Sequence, residues 1–313
     1  MTRAFVFPGQ GSQSIGMGKA LYDVFPASRE AFDAVDEALG EALSTLIFEG
    51  SEDDLRLTRN AQPALMVTSL AALRAIESES GRLLSELAGY VAGHSLGEYS
   101  ALAAAGALEI GDAARLLRQR GEAMQAAVPV GEGAMAAFIG ADMDGAREIA
   151  RAASAGGICT VANDNAPGQV VVSGARLAVE RAVDIAKERG VKRAILLPVS
   201  APFHCSMMAP AADVMAEALA AVTISPPTVP VVANVTAAPT RDPVKVRQLL
   251  VEQVTAQVRW RECVAAMAAA GVTEQVEVGA GKVLSGLARR IDRDLQAVSV
   301  STPEDVAAFV ATL

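Results

Sequence analysis

The sequence predicts an α/β fold: a parallel sheet covered by helices, with a smaller ferredoxin-like unit inserted in it. Three observations carry this. Hydrophobic residues make up 51% of the 313 and aromatics only 4%, so Ala, Val and Leu must build the core, as where helices pack on a parallel sheet. The runs VPVVANV, AILLPV and TEQVEVG are short and nearly continuous in apolar character, the pattern of strands buried on both faces. The middle of the chain alternates strands and helices in an order that suits a separate small sheet. The length allows one large domain, or one domain with a smaller insert.

The elements follow in order. AFVFP is a short first strand that runs into a Gly-rich turn at 9–18. Helical periodicity dominates from about residue 27 to 75, with an interruption at 58–63. A second strand at 88–92 ends at Gly93, and a helix runs from about 96 to 106. Another helix follows Asp112, whose carboxylate suits an N-cap, and carries Arg115, Arg118 and Arg120. From about residue 129 the pattern changes. GAMAAFIG reads as a strand, DGAREIARAAS as a helix, and GICTVAND and QVVVSGA as strands joined by the turn NDNAPG. The helix ARLAVERAVDIAKERG then leads into the strand AILLPV. This β-α-β-β-α-β order is that of a ferredoxin-like unit, expected at 130–198 and flanked by 1–129 and 199–313 of the large α/β domain.

Charge and cysteine content narrow the function classes. Lys and Arg number 27 against 36 Asp and Glu, and the net charge of −9 argues against a general nucleic-acid binder. An acidic protein partner would need a local basic patch. Lys187, Arg189, Lys192 and Arg193 form one candidate, and Lys282, Arg289, Arg290 and Arg293 another. Cys159, Cys205 and Cys263 show no CxxC or metal-ligand spacing, so free thiols in a reducing compartment are expected and no metal. MTRAFVFPGQGSQ lacks the apolar segment of a secretory signal, and no stretch of about 20 apolar residues reads as a membrane span. A soluble, cytoplasmic protein without membrane contact is the expectation. A monomer is compatible with everything read here.

The strongest chemical signal is Gly93-His94-Ser95-Leu96-Gly97, a G-x-S-x-G sequence between an apolar strand and a helix. A serine there sits in a sharp, strained turn, and side chains at the flanking positions would strike the neighbouring strand and helix. The start of the helix offers unpaired N–H groups to a developing oxyanion, the amide of Leu96 first among them.

A neutral serine needs an adjacent general base, and histidine is best matched to that task near neutral pH. The chain has two histidines. His94, next to the serine on a turn, points elsewhere and serves to line or support the elbow. His204, in the loop after an apolar strand, is therefore the base if Ser95 is the nucleophile. Cys205 beside it has no further histidine to activate it. No motif selects Asp164, Asp184 or Asp213 as a third member, and a backbone carbonyl can orient the imidazole as well.

Taken together, FPGQGSQ, GHSLGEYSAL, RGEAMQ, NDNAPGQVVVSG, LPVSAPFH and VEVGAGKVLSGL resemble the bacterial malonyl-CoA:acyl-carrier-protein transacylase family, in that family's order and over almost the whole chain. The resemblance implies a hydrolase-like large domain interrupted by a ferredoxin-like one. It implies Ser95 as the acylated nucleophile and His204 as its base, held by a backbone carbonyl, that of Gln253. It implies an oxyanion hole from the amides of Leu96 and Gln10. Arg120 becomes the residue that binds the free carboxylate of the malonyl group, which a planar guanidinium can do bidentately.

Leu96 after the serine and Phe203 before the histidine match the malonyl-selecting pattern of related polyketide acyltransferases. A bulky Phe203 would crowd an α-methyl branch. The family often has Ser at that position, so Phe203 is a mild departure. His94 is placed with Arg120 and Phe203 among the substrate-binding residues. The resemblance implies two partners, a coenzyme A thioester and an acyl carrier protein whose phosphopantetheine thiol accepts the acyl group, and no separate cofactor. A free-standing acyltransferase of a polyketide synthase and a serine (thio)esterase are the alternatives.

Overall fold

The alternation in RAFVF sends Phe5 and Phe7 into one hydrophobic cluster and Ala4 and Val6 into another, so the first strand has a core on each face. That strand, β1 (Arg3–Phe7), is central to a six-stranded sheet in the computed structural model, which describes residues 2–313. The sheet runs β10-β9-β1-β2-β7-β8, with β2 at Tyr90–Gly93, β7 at Val231–Val232, β8 at Pro239–Thr240, β9 at Glu274–Val278 and β10 at Gln296–Val300. Every pairing is parallel except that of β7 with the short β8.

The second sheet contains β3 (Gly133–Ile139), β4 (Cys159–Ala166), β5 (Gln169–Ala175) and β6 (Arg193–Leu196), in the order β4-β5-β3-β6 and antiparallel throughout. The helices Met143–Ala153 and Arg176–Glu188 share a hydrophobic cluster with it, giving the ferredoxin-like arrangement. The second sheet is tied to the rest of the chain where Val258, between the helices Pro243–Gln253 and Trp260–Ala269, pairs with Asn163 of β4. Its N–H donates to the Ala162 carbonyl at 2.8 Å, and its own carbonyl accepts from the Asp164 N–H at 2.9 Å. The Arg261 guanidinium also binds the Asp164 carboxylate, at 2.7 Å. Among the described residues no helix is long and apolar enough to cross a membrane.

Several sequence-based expectations shift. The interruption expected near 58–63 falls at Leu57, between the helices Glu52–Arg56 and Thr58–Ser80, and Pro63 lies inside the second turn of the latter. Nearly all of that helix is buried against the sheet and its neighbours, so tertiary packing outweighs the lost backbone bond. Asp112 is not an N-cap. Its helix, Ile110–Ala126, starts after an extended Glu109 and puts Asp112 in the first turn, where its carboxylate meets Arg115 at 2.7 Å.

AILLPV is not a central strand. Its first part forms the edge strand β6 with Ile195 and Leu196 exposed, and Leu197–Val199 leaves the sheet to line the cavity described below. VPVVANV yields only two strand residues, because Asn234 turns away to bind backbone groups of the elbow. TEQVEVG yields the buried strand β9, Glu274–Val278, whose acids both find partners: Glu274 pairs with Arg3 of β1. Glu277 accepts from the N–H groups of Leu284 and Ser285 at 3.0 and 2.7 Å, satisfying the start of the helix Val283–Ile291.

Candidate active site

The elbow follows β2 and opens the helix Gly97–Ala104. Ser95 has φ 53°, in the left-handed region that a non-glycine residue adopts only at a cost of about 1–3 kcal/mol. The glycines on either side are required by contact. A Cβ on Gly93 would lie 1.8 Å from the Gly97 carbonyl oxygen, and one on Gly97 would lie 2.3 Å from that of Phe7. The Leu96 amide has no hydrogen-bond partner among the described residues, and neither has the amide of Gln10, in the turn after β1. Gln10, Ser95 and Leu96 line one cavity of about 440 Å³.

His204 stands opposite. Its Nε2 is 2.7 Å from Ser95 Oγ, and its Nδ1 is 2.9 Å from the Gln253 backbone carbonyl. A carbonyl only accepts, so Nδ1 carries the proton and the Nε2 lone pair faces the serine hydroxyl. Burial, and then the nearby Arg120 charge, push the imidazole pKa down to about 3, so it rests neutral. His204 itself has φ 59°, a second strained non-glycine residue, which nothing in the sequence signals.

None of the three aspartates weighed for the third position serves His204. Asp164 is held by Arg261, Asp184 pairs with Lys187 at 3.0 Å on the surface, and Asp213 is exposed. The Cys205 thiol donates to the Pro202 carbonyl at 3.1 Å, and burial raises its pKa.

Arg120 is only 1% exposed and lines the same cavity. Its Nη1 donates to Gln62 Oε1 at 2.7 Å; its Nη2 donates to Gln253 Oε1 at 2.9 Å and to Ser95 Oγ at 3.1 Å. Its Nε has no partner, and among the described residues no carboxylate comes within 4.0 Å of the guanidinium. The Tyr99 ring lies beneath it, 5.7 Å to the centroid. Burial lowers the arginine pKa in direction, but an arginine remains charged in proteins. A buried cation facing a cavity, with the buried Glu98 nearby but no carboxylate in ion-pair contact, is built to receive an anion.

Phe203 lines the cavity, and so does His94, whose Nε2 donates to Asn165 Oδ1 across to β4 at 2.8 Å. Burial lowers the His94 pKa, and its ring does not reach the serine hydroxyl as that of His204 does.

Three residues that sequence reasoning missed hold the elbow. Asn234 Oδ1 accepts from the Ser95 N–H at 2.7 Å, while its Nδ2 donates to the Gly93 carbonyl at 2.7 Å. Glu98 Oε2 accepts from the Asn234 N–H and from Gln253 Nε2, both at 2.9 Å. Burial raises the Glu98 pKa to about 7, against the opposing effect of those two donors. Gln62 is the third, through Arg120.

A family profile described as the acyl transferase domain matches residues 4–302. The malonyl CoA-acyl carrier protein transacylase of Bacillus subtilis is 48% identical over 311 residues, covering 99% of this chain and 96% of that one. A crystal structure of the acyl-carrier-protein S-malonyltransferase from Bartonella henselae is 54% identical and superimposes with a TM-score of 0.97, covering 100% of this chain and 99% of that one. A malonyl-transacylase solved in complex with a type II PKS acyl-carrier protein is 40% identical, with a TM-score of 0.96 and full coverage of both chains.

Proposed function

The chain belongs to the acyl transferase domain family, and on that premise we propose that it moves a malonyl group from malonyl-CoA to the phosphopantetheine thiol of an acyl carrier protein through an ester on Ser95. The observation that carries this reading is the convergence of Ser95 Oγ on both the His204 imidazole, at 2.7 Å, and the unneutralised Arg120 guanidinium, at 3.1 Å.

Ser95 Oγ attacks the thioester carbon as its proton passes to His204 Nε2, and the carbonyl oxygen, now an oxyanion, takes the Leu96 and Gln10 amides. The C–S bond breaks, and the coenzyme A thiolate leaves with the proton held by His204. In the second half the carrier thiol gives its proton to His204 and attacks the ester. Ser95 recovers a proton as it departs. The malonyl carboxylate sits on Arg120. Burial keeps His204 a weak base first and the Arg120 charge second; by offsetting the second, a carboxylated substrate strengthens the base that activates the nucleophile. An uncharged acyl group leaves Arg120 buried and unpaired, a state costing about 3–5 kcal/mol.

A thioesterase reading has no use for that guanidinium. A polyketide role is not favoured, since the Bacillus relative and its Haemophilus counterpart, 45% identical over 308 residues, are both named malonyl CoA-acyl carrier protein transacylase. We further propose that residues 130–198 form the inserted unit, and that the basic group of Lys282, Arg289, Arg290 and Arg293 receives the carrier. Arg290 reaches Gln169, at 2.6 Å, at the start of β5 and next to β4, a strand that lines the cavity, and Gly281 abuts Ser12 near Gln10. In the other group Lys187 and Arg189 are already engaged by Asp184 and Glu148.

The test is intact-mass spectrometry after mixing with malonyl-CoA. One added malonyl group is expected, absent in Ser95→Ala and not formed from acetyl-CoA. Malonylation that persists in Ser95→Ala overturns the nucleophile, and equal acetylation overturns the substrate.

A further inference from the structure

We infer that Gln62 is a specificity-determining residue: by holding Arg120 through a neutral amide, it fixes the guanidinium without spending its charge, which stays available for the carboxylate of the acyl group. The inference rests on the malonyl reading above.

Burial of a guanidinium in a folded protein is ordinarily met by a carboxylate. Here both terminal nitrogens are met by side-chain amides instead, Nη1 by Gln62 and Nη2 by Gln253. The Gln62 amide is oriented on its other side. Its Nε2 donates to Thr58 Oγ1 at 2.9 Å, which leaves Oε1 to face the arginine. Thr58 in turn donates to Gln10 Oε1 at 3.1 Å, so one hydrogen-bonded row links the arginine to the turn that carries the Gln10 amide. Gln62 is 1% exposed and is one of the few polar residues in the buried stretch of Thr58–Ser80. A polar group in such a place costs stability unless it is matched, and here its match is the substrate-facing cation.

Gln62 and a glutamate have almost the same shape, which makes the proposal sharp. A carboxylate at this position would keep the bond to Nη1 but neutralise Arg120 permanently and repel a second carboxylate beside it. Loading by malonyl should therefore fall, while loading by an uncharged acyl group, no longer obliged to strand a lone cation, should hold or rise. A residue that merely supported the fold would lower both together.

The experiment measures single-turnover acylation of Ser95 by malonyl-CoA and by acetyl-CoA, in wild type, Gln62→Glu and Gln62→Met. For Gln62→Glu, loss of one charge-assisted interaction, about 1.5–3 kcal/mol, corresponds to a malonyl rate lowered about 10- to 150-fold, with the acetyl rate unchanged or raised. For Gln62→Met, which removes the bond but adds no charge, a higher malonyl KM with the preference for malonyl retained is expected. Wild type that fails to load malonyl at all rejects the underlying function. Wild type that loads malonyl while Gln62→Glu keeps its malonyl-to-acetyl ratio rejects this inference alone. If Gln62→Glu does not fold, Gln62→Met decides: a preference lost without any added charge rejects the inference, and a preference kept with raised KM supports it.

Discussion

Asn234→Ala is the perturbation that most directly probes how the elbow is held. The side chain is fully buried and serves two backbone groups of the same turn, accepting from the Ser95 N–H and donating to the Gly93 carbonyl, each at 2.7 Å. Truncation orphans both in a place water does not reach. Each orphan costs about 1–3 kcal/mol, so a rigid turn would lose about 2–6 kcal/mol. The turn can recover part of this by relaxing Ser95 from φ 53°, which returns about 1–3 kcal/mol of strain. Relaxation, however, swings Oγ away from His204, and a displacement of about 1 Å in a reacting group costs about 100-fold in rate.

Stability and rate are therefore coupled in this variant: little loss of one implies large loss of the other. Urea unfolding at unchanged m-value measures the first, and quenched-flow intact-mass acylation measures the second. Asn234→Asp keeps the acceptor for Ser95 but turns an oxygen toward the Gly93 carbonyl, and should lose about as much. An Asn234→Ala protein within about 0.5 kcal/mol of wild type that also acylates at the wild-type rate would refute the reasoning, since surface-like neutrality is about ±0.5 kcal/mol.

Glu98→Gln should change how stability depends on pH. Between pH 4.5 and 6.5 the folded protein holds a proton on Glu98, pKa about 7 against 4.5 unfolded, and lacks one on His204, pKa about 3 against 6.5. The Glu98 contribution is present below 4.5 and lost as pH rises through 7; that of His204 is present above 6.5 and lost as pH falls toward 3, so the two slopes cancel in that window. Removing the acid leaves stability rising with pH by about 1.4 kcal/mol per unit more than in wild type, readable by denaturation at pH 4.5, 5.5 and 6.5; identical curves count against a proton held on Glu98. Arg120→Ala should lower malonyl loading by about 100-fold or more and speed hydrolysis of whatever ester forms, as the acyl tail loses its anchor; a hydrolysis rate equal to wild type in a pre-loaded protein contradicts the anchoring role. Reversing Arg290 and Arg293 to Glu should raise the KM for the carrier about 10-fold while malonyl-CoA loading stays unchanged, and a carrier KM that does not move assigns docking elsewhere.

Much of this site was legible because its chemistry needs rare residues. With two histidines in the chain, one of them locked beside the serine, elimination left His204. The glycines of the elbow were readable because their requirement is steric and local, as the 1.8 Å approach at Gly93 makes plain. Arg120 was different. On its helix it looks like its neighbours Arg115 and Arg118, which pair with Asp112 and Glu41, and only the resemblance singled it out. Asn234, Glu98 and Gln62 were missed because they converge from separate segments and touch backbone or one another rather than substrate. A weak signal did exist: Asn234 interrupts VPVVANV, and Gln62 immediately precedes the apolar buried run Pro63–Val67 of its helix. A lone polar residue inside an apolar run must find a partner, but the sequence does not say which.

The absence of a triad acid has a physical explanation in the helix Pro243–Gln253. Gln253 is its last residue, so the Gln253 carbonyl is among those that no later N–H of the helix can satisfy. It meets His204 Nδ1–H at 2.9 Å, and the helix behind it presents about half a negative charge at that end. An imidazolium formed during proton transfer is thus stabilised by a dipole that cannot itself be protonated, and that carries no full charge to neutralise Arg120 nearby. A carboxylate in the same place would do both wrong things: it would compensate the guanidinium without substrate, and it would repel the malonyl anion. The Gln253 side chain extends the same logic, giving its Oε1 to Arg120 and its Nε2 to the Ser95 carbonyl at 3.1 Å. Around the reacting serine the protein orients its histidine with a dipole where a hydrolase would use an acid; the nearby acid, Glu98, is bound to amide and backbone donors and kept weakly ionised by burial, so no carboxylate touches Arg120 and its charge is left to meet the substrate.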